Sequence, residues 1–244
     1  MQFDGTCAIL RSKKKVSVMF SETTVVLLLG GYLIGSLSFA VIVSRVMGLE
    51  DPRTYGSQNP GATNVLRSGN KKAAIATLLF DALKGYVPVL LVKLFGADYG
   101  LDDRAVALVA IAAFIGHLWP VFFRFQGGKG VATAAGVLFG IEPVLGLLVI
   151  LTWLTVAWVT RYSSLAALMA SVLSPLYYLL GNEVLWSTSE AELLSVMVMS
   201  ALLLMRHHEN IARLISGQES KIGANKETAA ATASASLEDQ VERP

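Results

Sequence analysis

A lysine set among glycines, in the run Gln126-Gly127-Gly128-Lys129-Gly130, points most directly to chemistry in this chain. Glycines let backbone N–H groups converge on an anion, and Lys129 adds a full positive charge. A helix expected to begin at Val131 would turn its N-terminus toward the same spot. The run is not a Walker A loop, which needs glycine where Phe123 stands and serine or threonine where Gly130 stands. A nucleotide is thereby excluded, and a nest for a phosphate-like group remains.

Two further polar islands carry complementary donors. Arg53-Thr54-Tyr55-Gly56-Ser57-Gln58-Asn59-Pro60-Gly61-Ala62-Thr63-Asn64-Val65-Leu66-Arg67 is dense in turn residues. Its hydroxyls, amides and arginines are suited to surrounding a phosphate. Turn residues occur in any loop, but so many donors beside a second phosphate-suited turn favour a functional reading of Ser57, Thr63, Asn64 and Arg67. In Arg206-His207-His208-Glu209-Asn210-Ile211-Ala212-Arg213-Leu214, residues His207, Asn210 and Arg213 are spaced to share one helical face. Such a stripe can donate to an oxyanion or a hydroxyl. A positive helix end explains the arginines but not the histidine with the asparagine.

Smaller signals are balanced between structure and function. His117, about a dozen residues before Lys129, is either an interface histidine or a group that shapes the site. Ser163 and Ser164 read as caps of a helix starting near Leu165, although the same helix end would also suit an anion. Asp81 and Lys84 lie on one helical face, as a packing pair or a substrate contact.

The elements that must position these groups are membrane-grade. Over half of the chain, 54%, is hydrophobic and only 16% is charged, against about a quarter charged in soluble domains. Apolar runs of spanning length cover 25–47, 73–95, 104–123, 143–160, 165–180 and 193–205, with a shorter one at 129–140. The expectation is an all-α polytopic membrane protein of about seven transmembrane or half-spanning helices, with the motifs in cytoplasmic loops. Lysine and arginine crowd alternate connections at Arg45–Lys72, Arg124–Lys129, Arg161 and Arg206–Arg213. The positive-inside rule puts these in the cytoplasm, the N-terminus outside and the C-terminus inside.

Arg11 and the lysines at 13–15 oppose that orientation, and a start at Met19 would remove them. Residues 1–18 are therefore read as a doubtful leader, 19–217 as one membrane domain and 218–244 as a disordered, Ala/Ser/Glu/Lys-rich tail. The single cysteine, Cys7, supports neither a disulfide nor a metal site.

In three motifs and their order the chain resembles the bacterial acyl-phosphate:glycerol-3-phosphate acyltransferases. The motifs are Gly56-Ser57-Gln58-Asn59-Pro60-Gly61-Ala62-Thr63-Asn64, then Gly116-His117 through Gly127-Gly128-Lys129-Gly130-Val131-Ala132-Thr133, then His207-x-x-Asn210-Ile211-x-Arg213-Leu214. Gln58 stands where that family usually has glycine, and Gln126 where it usually has lysine.

The resemblance implies transfer of a fatty acyl group from acyl phosphate to the 1-hydroxyl of sn-glycerol 3-phosphate. The products would be lysophosphatidic acid and phosphate, in the first step of phospholipid synthesis. Two anion subsites are then needed, but neither a cofactor, a metal nor a covalent nucleophile. Lys129, His207 and Asn210 become the expected catalytic residues. Ser57, Thr63, Asn64, Arg67, His117, Gly127, Gly128, Gly130, Ser163 and Ser164 become the expected substrate-binding ones. The implied setting is the bacterial inner membrane. The implied partners are the two substrates, membrane lipids and the enzyme that forms acyl phosphate, with no nucleic acid and the chain itself a monomer.

Two rival functions have weaker support. A phosphate-solute transporter would draw on Asp81, Lys84 and the break near Pro120, but transporters place sites near the midplane. A phosphatidyl-group transferase would need an Asp-rich helix, and Asp81 stands alone.

Overall fold

A computed structural model describes residues 22–223. The expected leader with Cys7, the alternative start at Met19 and the tail beyond 223 lie outside the described residues. The helices are α1 (Glu22–Gly35), α2 (Phe39–Val46), α3 (Ala62–Leu66), α4 (Lys71–Phe95), α5 (Asp103–Leu118), α6 (Val131–Ile141), α7 (Pro143–Thr160), α8 (Ser163–Leu180), α9 (Glu190–Arg206) and α10 (His208–Ile215). Among the described residues four helices are long and apolar enough to cross a membrane, and a fifth crossing results if α1 and α2 count as one. As expected, α6 is too short to cross alone, at 11 residues. Large apolar side chains such as Leu79, Leu91, Leu94, Trp158 and Leu180 face outward, as a lipid solvent requires.

The first expected helix, 25–47, is not continuous. It breaks at Ser36–Ser38, and its two halves meet at 46°. A break frees backbone carbonyls that membrane depth cannot leave unpaired. Lys84 supplies the donor: its Nζ bonds the carbonyl oxygen of Leu37 at 2.6 Å and pairs with Asp81 at 2.8 Å. The buried Asp81–Lys84 pair therefore braces the break between α1 and α2. Pro175 in α8 raises the same problem, because it cannot donate to Ser171. The hydroxyls of Ser174 and Ser200 bond that carbonyl oxygen instead, at 2.9 and 2.7 Å.

Glycines bring the central helices into backbone contact, the usual means of packing in lipid. A Cβ on Gly136 of α6 would run into the carbonyl oxygen of Ala82 in α4, and one on Gly85 into that of Thr133. Because α6 begins at the glycine turn, this contact also sets the height of Lys129. Gly136→Ala is expected to cost about 1–3 kcal/mol through overpacking and to lower the melting temperature in detergent. A variant melting with the parent would show that α4 and α6 are not held this closely.

Chain direction alternates from α4 through α9, so the connections at 47–70, 119–130, 161–162 and 207–223 gather at one end. The opposite end is closed by Lys93, which bonds the carbonyl oxygen of Ile141 and pairs with Glu142 at 2.9 Å. There Tyr178 donates to Glu192 at 2.6 Å.

Candidate active site

The loop of 51–61 is shaped by Asn64, which is 1% exposed. Its Nδ2 donates to the carbonyl oxygens of Pro52 (2.7 Å) and Tyr55 (3.1 Å), and its Oδ1 accepts from the Ser57 amide at 3.0 Å. Asn64 is thus an internal brace, while Ser57, Thr63 and Arg67 are exposed residues. Gln58, where the resemblance expects glycine, sits at φ 54°. That left-handed conformation costs a residue with a Cβ about 1–2 kcal/mol, which accounts for the glycine preference.

The glycine turn rests on His117. The Gly128 amide donates to the His117 carbonyl oxygen at 3.3 Å, and a Cβ on Gly128 would collide with the His117 ring. The ring's Nδ1 lies 3.1 Å from Thr133 Oγ1 and 3.8 Å from Asp81. His117 therefore lies beneath the turn, linked to the Asp81–Lys84 pair. From the other side, Arg206 Nη2 donates to the carbonyl oxygens of Gly127 (3.0 Å) and Gly128 (3.1 Å). With both carbonyls drawn away, the Lys129 side chain projects from the turn. Its Nζ donates to Asn210 Oδ1. Burial, then the nearby Arg213 charge, pushes the Lys129 pKa below its usual value.

The expected terminal helix is two helices, with His207 at the joint between α9 and α10. Buried there, its Nδ1 lies 2.8 Å from the carbonyl oxygen of Leu203. A carbonyl can only accept, so Nδ1 carries the hydrogen and Nε2 keeps the lone pair. Burial is the main cause that lowers the His207 pKa to about 4. Asn210 lies one turn onward, between Lys129 and Glu219, with Nδ2 donating to Glu219 Oε1 at 2.7 Å.

The serine pair departs from its expected capping role. α8 begins at Ser163 itself, and Tyr162 is its N-cap without a side-chain cap bond. The Ser164 hydroxyl is buried and helps to stabilise the charge of the Glu219 carboxylate. The first turn of α8, with its free amides, thus faces the site beside the Glu219 carboxylate.

Between α6, α7, α8 and α9 lies an apolar cavity of about 30 Å³ whose lining includes Val131, Ala134, Ala170, Val196 and Leu203. Val131 adjoins the glycine turn, and Leu203 holds His207. Cationic, hydroxyl and imidazole groups therefore meet an apolar seam at one end of the bundle. Among the described residues no cluster of histidine, cysteine and acidic groups is suited to a metal ion.

Residues 25–217 match the glycerol-3-phosphate acyltransferase family model. The chain belongs to the glycerol-3-phosphate acyltransferase family. It is 62% identical over 202 residues to the glycerol-3-phosphate acyltransferase of Paraburkholderia phymatum, covering 82% of this chain and 93% of that one. It is 61% identical over 198 residues to that of Albidiferax ferrireducens, covering 81% and 88%. The crystal structure of PlsY (YgiH), an integral membrane glycerol 3-phosphate acyltransferase in its glycerol 3-phosphate form, superposes with a TM-score of 0.75 at 36% identity. That match covers 82% of this chain and 96% of the other. The lysophosphatidic acid form of the same protein gives 0.74 and 35%. Membership of this acyltransferase family agrees with the all-helical, lipid-facing fold.

Arg206 and Glu219 of this acyltransferase were absent from the expected site. Arg206 reads in sequence as an ordinary positive helix end, and only its position beside His207 marks it out. Glu219 falls just inside a tail whose composition suggests disorder.

Proposed function

We propose that the chain transfers an acyl group from acyl phosphate to the 1-hydroxyl of sn-glycerol 3-phosphate, on the cytoplasmic side of the bacterial inner membrane. The observation that carries this reading is the meeting of Lys129, Asn210 and the lone pair of His207 beside an apolar seam. Lys129, the turn amides and Arg67 offer charge to the phosphate of one substrate, assisted by the exposed hydroxyl of Ser57. The first turn of α8, with Ser163 and Ser164, together with His207 and Asn210, orients the glycerol 3-phosphate hydroxyl. The seam beneath Val131 and Leu203 offers the acyl chain an apolar path.

The hydroxyl oxygen attacks the acyl carbonyl carbon, forming the ester C–O bond. The bond from that carbon to the phosphate oxygen breaks, and phosphate leaves with the electron pair. Cations that already hold the phosphate stabilise the charge it gains. Because the donor arrives activated, the protein needs no covalent nucleophile. The Asp81–Lys84 pair, the chief support for a transporter, is engaged with the Leu37 break and with His117, so the one-sided site favours chemistry.

Purified protein supplied with glycerol 3-phosphate is expected to form lysophosphatidic acid and phosphate from palmitoyl phosphate, and no product from palmitoyl-CoA. Equal turnover of both donors would refute the proposed donor. Uptake of glycerol 3-phosphate by proteoliposomes, without acyl product, would favour the transporter.

A further inference from the structure

Residues 218–222 cross the motif-bearing end of the bundle and bond to the first and last islands and to Arg161. Ser220 Oγ accepts from Arg67 Nη2 at 2.8 Å. The Ile222 amide donates to the Arg161 carbonyl oxygen at 2.7 Å, and Arg161 Nη2 returns a bond to the Ile222 carbonyl at 3.1 Å. Just ahead of these anchors the Glu219 side chain turns inward. Its Oε1 accepts from Asn210 and its Oε2 accepts from Arg213 Nε at 2.8 Å. Burial alone would raise the Glu219 pKa, but the Ser164 hydroxyl, Arg213 and Asn210 outweigh it and hold the carboxyl below its usual value.

A primary amide has a donating and an accepting end, and its neighbours decide which way it faces. The Glu219 carboxylate can only accept, so it takes Nδ2 of Asn210. The Lys129 ammonium can only donate, so it takes Oδ1. Without Glu219, Asn210 is free to rotate, Lys129 loses its guide, and Arg213 loses a partner 2.8 Å away.

The geometry points to Glu219 as a positioning residue of the acyltransferase site, one that holds Asn210, and through it Lys129, in the orientation that receives substrate phosphate. The inference rests on the proposed reading of the site. In that setting Glu219 touches no reacting atom. It fixes the residues that do, and it offsets part of the charge of Arg67, Lys129 and Arg213 before substrate arrives.

The test uses the full chain in detergent, comparing the parent with Glu219→Gln, Asn210→Ala and the double variant. Glutamine keeps the volume but removes the charge, and it cannot accept at both ends. Glu219→Gln is expected to melt within a few degrees of the parent. Its KM for glycerol 3-phosphate should rise and its kcat/KM should fall about thirtyfold, the range for losing a charge-assisted hydrogen bond. The double variant should be no slower than Asn210→Ala alone, because both act through one amide. Parent-like kinetics, a lowered KM (a carboxylate that competes with substrate) or additive losses would each overturn the proposal.

Should the parent make no product from any donor, the functional reading fails, and labelling of Lys129 by an amine reagent at pH 8 decides the role of Glu219 by itself. Loss of the carboxylate should free the lysine and make it less basic, so labelling should rise several-fold in Glu219→Gln. Unchanged labelling would overturn the inference.

Discussion

Lys129→Ala is expected to lower kcat/KM for glycerol 3-phosphate about 10²–10³-fold, the scale of truncating a partly buried charged partner. The loss should be specific, because the turn does not depend on the lysine for its shape. His117 and the Arg206 bonds hold Gly127 and Gly128 whether or not the ammonium is present. Lys129→Ala should therefore melt close to the parent. Lys129→Arg keeps the charge but brings a planar fork to a place where one Nζ meets Asn210 Oδ1, so its rescue should be partial. The check is steady-state kinetics on purified variants beside their melting curves. Near-parental activity in Lys129→Ala would remove the lysine from the proposed phosphate site.

How much of this site was legible beforehand depends on how far apart its partners lie in sequence. Apolar runs specify helices locally, so the elements from α4 to α9 lie near their expected places. The glycine turn and the His207–Asn210 spacing are likewise local patterns. The break at Ser36–Ser38 was hidden because Gly, Ser and Leu all belong in a membrane helix, and the carbonyl it frees is satisfied by a lysine far along the chain. Ser163 and Ser164 looked like caps because hydroxyls at a helix start usually are. Only the backbone at Tyr162 places them two residues further in.

Arg206 and Glu219 were missed for a related reason. Each belongs to a class that normally needs no explanation, a positive helix end and a polar tail. Each gains its role from a partner brought near by the bundle. Gln58 is the reverse case, in which a departure visible in sequence marks a left-handed backbone position.

His207→Ala is expected to reduce kcat about 10²-fold, and His207→Gln to recover most of that loss. With Nδ1–H committed to Leu203, the imidazole presents a lone pair at Nε2 that can accept from the attacking hydroxyl. A pKa of about 4 makes it a weak proton acceptor. The departing phosphate gains charge as its bond to the acyl carbon breaks, reaches at least the basicity of a phosphate ester (second pKa about 6), and is adjacent in any acyl-phosphate complex. The proton is therefore expected to leave with phosphate, while His207 aims the hydroxyl. Glutamine offers an amide oxygen for that aim, whereas a true general base contributes about 10²–10⁴-fold that glutamine could not restore.

The pH profile gives a second check on His207. Its folded pKa is depressed, so the neutral form and the stability it contributes are present above about 6.5 and are lost as pH falls toward about 4. From pH 6.5 to 8 the imidazole should not titrate in the free enzyme. Any acid limb in kcat/KM near pH 6 should belong to substrate phosphate and persist in His207→Gln. A limb near 6.5 that disappears in His207→Gln, together with a glutamine variant as slow as the alanine one, would assign the proton to the imidazole instead.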